Sequence, residues 1–335
     1  VSWSFTFPGG NGYYRFFSRA SDNVSNVETA PVTNDTICGY DAVAPSSSVN
    51  AIAPYWKTST PMTITATASN GASGVKNVTF YYRYSAGNSS FGGWMNNGTD
   101  AAFPWSRVIT FVNGTGYYQF YSIARDNASN AEVYSGVDAM CGYDHTRPTC
   151  TIQYNRSATY FKAGIALKIW VNFTEATSGI SPSSVMMNVS TQGLVNDTHN
   201  TSLTQTDNLH WYKNWVVPSG SNDGVFTVKI YGSDNATNLL NPYPTTDNSK
   251  RIDNTAPTSS VNTIASYWKT SAPLAITATA NDGGSGLKNV TLYYYYSATN
   301  GTFAGPTVFG VNSSPWIGVS WSFTFPGGNG YYRFF

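Results

Sequence analysis

In residues 76–85, KNVTFYYRYS, Val78, Phe80, Tyr82 and Tyr84 alternate with Asn77, Thr79, Tyr81 and Arg83. A period of two puts the first set on one face of an extended strand and the second on the other. Residues 288–297 repeat the pattern, with Val290, Leu292, Tyr294 and Tyr296 set against Asn289, Thr291, Tyr293 and Tyr295. In MTITATAS, Ile64, Ala66 and Ala68 face inward and Thr63, Thr65 and Thr67 outward. VITFV and GYYQFYSIA are further strand-forming runs, and the Gly, Pro and Asn clusters between runs are turns. No segment carries the 3.6-residue period of an amphipathic helix. Across 44–146 the pattern predicts seven strands, near 45–52, 62–69, 75–85, 91–95, 105–112, 117–125 and 131–138.

The runs recur. YWKTS stands at Tyr55 and again at Tyr267, 212 residues later, and ITATA and KNVT repeat with the same offset. DNVSNVE at Asp22 matches DNASNAE at Asp126, and CGYD at Cys38 matches Cys141. The opening seventeen residues, VSWSFTFPGGNGYYRFF, return unchanged from Val319 to Phe335. These offsets fit a module of about 105 residues, a spacing that marks a tandem array. The expected organisation is the back of one module at 1–43, a whole module at 44–146, a divergent module at 147–255, and the front of another at 256–335. The chain reads as a window cut from such an array.

Seven short strands in about 100 residues, with turns every 8 to 12, predict an all-β fold: tandem immunoglobulin-like β-sandwiches in a rod-like array. Tyr118 and Tyr14, in the NGTGYY and GGNGYY corners, are candidates for a hydroxyl that bonds back to the loop; an ordinary half-buried strand tyrosine is the alternative. The pattern of YWKTS, ITATA and KNVT followed by GYYQFYSIA and DNASN resembles the immunoglobulin-like repeats of archaeal and bacterial secreted surface proteins, adhesin-like or associated with a surface layer. The resemblance implies architecture and an extracellular or cell-surface address rather than an activity. Residues 147–255 depart from it: they lack YWKTS and ITATA and carry a longer insertion, STQGLVNDTHNTSLTQTDNLHW.

Charge enters next, because it is scarce. Only 10% of residues are charged and the net charge is +1, so nothing favours nucleic acid or anionic lipid. Ser and Thr number 78 and Asn 32. From that composition about seven N-glycosylation sequons are expected by chance, but sixteen occur: Asn23, Asn34, Asn77, Asn88, Asn97, Asn113, Asn127, Asn155, Asn172, Asn188, Asn196, Asn200, Asn235, Asn289, Asn300 and Asn312. The excess predicts a glycoprotein whose sugars supply the solvation that charges do not, with Asn77 and Asn289 on outward strand faces. An unmodified Thr/Asn-rich β surface is the alternative.

Other chemistry is sparse. Asp22, Asp126 and Asp234 open DN(A/V)(S/T)N turns; a side-chain-capped turn is preferred there over calcium ligation. Trp94, Tyr81 and Tyr293 are candidates for sugar platforms or for plain packing. Cys141 and Cys150 flank GYDHTRPT, a spacing within reach of a junction disulfide, with buried free thiols as the alternative. His145, His199 and His210 have no metal-ligand spacing. No GxSxG, HExxH or P-loop occurs. The sequence nominates no catalytic residue, no metal site, no cofactor and no enzymatic activity. It predicts a structural unit of a long extracellular glycosylated filament or surface fibre. Its partners would be further copies of itself, as a continuous chain or as strand-complementing subunits, together with N-glycans and no nucleic acid. The alternative is a cell-surface adhesin whose divergent module binds polysaccharide or a partner cell.

Overall fold

A computed structural model describes residues 2–191, 201–314 and 318–335. Among them the regular structure is almost wholly strand, with a single 3-10 turn at Pro182–Ser184. Each of the seven sheets draws its strands from one stretch of chain: 12–40, 46–143, 149–252 or 258–334.

Residues 46–143 form a complete sandwich. One sheet has the order Trp56–Lys57, Ala139–Tyr143, Gly116–Asp126, Val75–Ser85, Met95–Asp100; the other has Ser46–Val49, Met62–Ser69, Ser106–Ile109. The period-two reading holds where it is strongest. Ile64 and Ala66 are buried with Thr63, Thr65 and Thr67 exposed, and Val78, Phe80 and Tyr82 face the core. Tyr118, Phe120, Ile109 and Cys141 complete that core. Each large apolar side chain sealed here contributes roughly 1.5–3 kcal/mol relative to exposure.

Three expectations are corrected. The seventh strand is Ala139–Tyr143, not 131–138. The 131–138 segment crosses the gap between the two sheets instead, on carboxylates. Glu132 accepts from the amides of Ser47 and Ala124, and Asp138 from those of Val49 and Ser122. The fourth strand is Met95–Asp100 rather than 91–95: Gly92 and Gly93 weaken extended pairing, and Gly98, at φ +101°, carries a bulge. An eighth element, Trp56–Lys57, runs parallel to the last strand, with Trp56 opposite Gly142.

Residues 149–252 form a second sandwich, with sheets of four and five strands around Trp211, Phe226, Ile169 and Met187. Residues 258–334 contribute two three-stranded sheets around Leu292 and Phe323, and residues 12–40 one hairpin of Gly12–Phe16 with Thr36–Tyr40.

Candidate functional site

The corner tyrosines take the bonded form. The hydroxyl of Tyr118 donates to the Gly114 carbonyl at 2.8 Å, that of Tyr14 to Gly10 at 2.7 Å, and that of Tyr332 to Gly328 at 2.8 Å. Each locks the loop entering the sixth strand.

The DN(A/V)(S/T)N segments are side-chain-capped turns. Asp126 Oδ1 accepts the Asn130 amide and Oδ2 the Asn130 side-chain amide, both at 2.8 Å. Asp234 with Asn238 and Asp22 with Asn26 repeat this. The second Asn then reaches out of its own module. Asn130 Nδ2 also donates to the Asp41 carbonyl at 2.9 Å, and Asn238 Nδ2 to the Asp144 carbonyl at 3.0 Å.

Those carbonyls belong to a junction aspartate that the sequence reading passed over. Asp41 Oδ2 accepts from Asn70 Nδ2 at 3.0 Å and the Ser73 amide at 2.9 Å, and Asp144 Oδ2 accepts the Ser178 amide at 3.2 Å. Asp253 Oδ2 accepts the Ser285 amide at 2.6 Å. The geometry repeats because the local sequence does. Each aspartate directly follows the last strand of one module, four residues before a proline (Pro45, Pro148, Pro257), and each receiving serine precedes a glycine (Gly74, Gly179, Gly286). That D-x-x-x-P spacing was the available signal. The Ser73 hydroxyl, with the amides of Val43 and Ser73, holds the Asp41 carboxyl down to about 2. At the second junction burial pushes Glu175 and Asp234 upward. Two further bonds close that junction from the sides: Tyr117 Oη donates to the Thr177 carbonyl at 3.0 Å, and Arg147 donates to the carbonyls of Leu239 and Leu240 at 2.8 Å each.

The two cysteines are not brought together. Cys141 lies inside the last strand of one sandwich and Cys150 packs on the core of the next; both are free thiols. The reason is the corrected seventh strand, which turns Cys141 inward instead of leaving it in a linker. Burial pushes the Cys141 thiol up to about 12 and raises that of Cys150. Cys38 is also free and half-buried.

Among the sequon asparagines, Asn23, Asn34, Asn88, Asn113, Asn127, Asn155, Asn235, Asn289 and Asn300 are exposed; Asn77, Asn97, Asn172, Asn188 and Asn312 are half-buried. Asn196 and Asn200 lie outside the described residues. Asn289 immediately precedes the strand Val290–Ser297 rather than lying in it. Asn127 and Asn235 use their side-chain amides on the carbonyls of Ser73 and Ser178, so a sugar there would leave one N–H for that bond. Tyr81 stacks on Tyr121 at 4.6 Å, with Trp94 edge-on to Tyr121 at 4.5 Å, so these outward aromatics pack on one another. Tyr293 stacks on Phe335. His145 accepts from or donates to Thr115, His210 pairs with Asp207 at 2.7 Å, and His199 lies outside the described residues. No helix among the described residues is long and apolar enough to cross a membrane.

No protein-family profile matches the chain, and neither does any curated protein. Solved structures with a similar arrangement include a four-repeat stretch from the extending region of a large adhesion protein. It is 14% identical, with a TM-score of 0.33, and the match covers 92% of this chain and 72% of that one. An Escherichia coli adhesin is 15% identical, with a TM-score of 0.36, over 82% and 91% of the two chains. A three-domain immunoglobulin fragment of titin is 9% identical, with a TM-score of 0.37, over 88% and 93%. Likeness at this level carries no argument about the arrangement, binding or activity of this chain.

Proposed function

We propose that this chain is a non-enzymatic segment of a long extracellular fibre, in which immunoglobulin-like sandwiches are joined end to end and N-glycans coat the exposed asparagines. The observation that carries the reading is the repeated junction aspartate. Asp41, Asp144 and Asp253 each bond the Ser-Gly loop of the next module. A linker that makes the same contacts at successive junctions favours a repeated inter-module angle, as a stiff spacer requires.

A cleft in residues 258–334 marks where a further strand would seat. It has a volume of about 720 Å³ and is lined by Tyr267, Trp268, Lys269, Tyr331, Tyr332 and Phe334. In the complete sandwich the equivalent space, between Trp56–Lys57 and Gly116–Asp126, is filled by the last strand, Ala139–Tyr143. A segment of the Thr36–Tyr40 type would fill the cleft, supplied by continuing chain or by a neighbouring copy. Intact mass of the native fibre after denaturation and reduction separates these two routes. A polymer far above 36.3 kDa is expected for a continuous array, and discrete subunits released by denaturation for strand exchange. Glycan occupancy is read by peptide mass spectrometry, with Asn88, Asn289 and Asn300 expected to carry added mass. Finding all three unmodified in native material removes the glycoprotein claim.

One observation favours a second reading as an adhesin. On the outer face of the divergent module, Trp170 and Tyr212 lie side by side beneath Lys168, whose Nζ is 3.9 Å and 3.8 Å from the two rings. Aromatic pairs of this kind can stack on sugars. Saturable binding to a glycan array that is lost in Trp170→Ala would move the reading to adhesion.

A further inference from the structure

Carboxylate oxygens of Asp144, Glu175 and Asp234 lie within 4.8 Å of one another at the second junction. Asp144 and Asp234 are 0% and 1% exposed, and Glu175 is half-buried. No cationic side chain answers them: the ion pair found among the described residues is His210 with Asp207. Three carboxylates held this closely away from water repel, and they need positive charge or a donor between them.

The preceding junction shows the neutral solution. Counting back from the Ser-Gly pair, Asn70 stands where Glu175 does. Its side-chain amide donates to Asp41 Oδ2 at 3.0 Å and to Asp126 Oδ2 at 3.3 Å, tying the two carboxylates together. At the second junction that donor is replaced by a third acceptor. The existing hydrogen bonds occupy only part of the set: Asp144 accepts from the Thr146 and Ser178 amides, Glu175 from the Thr177 and Ser178 amides, and Asp234 from Asn238 and the Ala236 amide. Each carboxylate has lone pairs to spare.

A separate observation also points to a ligand. Ser178, whose amide touches Asp144, is 8% exposed, yet its hydroxyl has no hydrogen-bond partner. The third junction shows the same sign, because Asp253 Oδ1 is buried without a partner while Oδ2 holds the Ser285 amide. Buried polar atoms are almost always satisfied in native structures, so each such oxygen calls for a missing partner.

We infer that Asp144, Glu175 and Asp234 hold a calcium ion between the two complete sandwiches, with the Ser178 hydroxyl as an adjoining oxygen donor. An all-oxygen, carboxylate-rich set from three separate segments suits calcium, which tolerates irregular coordination by six to eight oxygens. It lacks the His and Cys ligands of a zinc site. The ligands come from the linker and from two loops of the following module, so the ion would restrict the hinge itself. The site deepens the fibre reading without depending on it: ion binding is measured on the chain, and the fibre by its mass.

The test is calorimetric titration of CaCl2 into the full 335-residue chain after chelator treatment, beside Glu175→Gln. A Gln amide there restores the donor that Asn70 supplies one module earlier, so the variant should fold. The expected result is saturable binding with a Kd on the order of 10⁻⁴–10⁻³ M, as in extracellular calcium modules, weakened at least about tenfold in the variant and accompanied by a calcium-dependent rise in Tm only in the parent. Absence of saturable heat, or equal affinity in Glu175→Gln, overturns the inference. So does an equal response to MgCl2. A variant that melts higher than the parent by the same margin with and without calcium also overturns it, because the cluster would then be holding a proton.

Discussion

At the scale of single residues, polar side chains in this protein replace ion pairs. With so few Lys and Glu, it uses Asp and Asn to bind backbone: Asp41 and Asp126 accept amides, and Asn130 bridges a turn to a neighbouring module. Asp41 gives a pH prediction. Its folded pKa, held to about 2 by the Ser73 hydroxyl and the amides of Val43 and Ser73, lies below the usual 3.8. Its contribution is therefore fully present above the unfolded value and is lost as pH falls through the folded one. Carboxyl-carbon NMR should place the midpoint near 2, and Ser73→Ala should move it back toward 3.8. A midpoint near 3.8 in the unmodified chain would mean that the junction bonds do not form in solution. Cysteine belongs to the same scale. Cys141, sealed in a core, should resist alkylation until its sandwich unfolds, whereas half-buried Cys38 should react first.

At the scale of strands, the sequence was most legible where one face is buried and the other is wet. Met62–Ser69 and Val75–Ser85 match their expected bounds because a one-residue slip would turn every Thr inward and every Ile or Phe outward. It was least legible where backbone pairing yields to side chains. The segment from 131 to 138 has strand-like composition, but Glu132 and Asp138 tie its neighbours together without a ladder. The last strand hides in CGY because a glycine weakens the apparent propensity. The structure shows why that glycine is there. A Cβ on Gly142 would stand 2.2 Å from the ring of Trp56, its partner on the adjoining parallel strand. Gly142→Ala should therefore expel Trp56 from its seat at a cost of about 1–3 kcal/mol, read as a red-shifted tryptophan emission and a lower urea midpoint. At Gly39, in the hairpin, the nearest atom to an added Cβ is 3.8 Å away on Tyr13, and the same substitution should be nearly silent. The junction acids were hidden for a different reason. Asp144, Glu175 and Asp234 are far apart in sequence, and only folding brings them together.

At the scale of the whole molecule, a tandem chain can be a string of loose beads or a stiff rod, and the linker decides which. Interfaces between domains of one chain are usually small and polar, so motion is the default unless specific bonds oppose it. The second junction has bonds on several sides. Asn238 and Asp144 join the turn to the linker, Tyr117 reaches the Thr177 carbonyl, and Arg147 grips two carbonyls next to the turn. Tyr117 and Arg147 donate to backbone carbonyls and not to the three carboxylates, so they can be altered without removing a hydrogen bond to the acids. The double variant Tyr117→Phe with Arg147→Ala removes three hydrogen bonds, each worth about 0.5–1.5 kcal/mol, and leaves both hydrophobic cores intact. Unfolding of each sandwich should shift little, because the lost bonds join modules rather than build them. Small-angle scattering should nevertheless show a shorter mean end-to-end distance and a broader distance distribution, as the two sandwiches sample more angles. If the double variant scatters like the parent, side-on bonds do not set the angle. The work then falls to the junction aspartates, which a further Asp144→Asn change would expose by the same measurement.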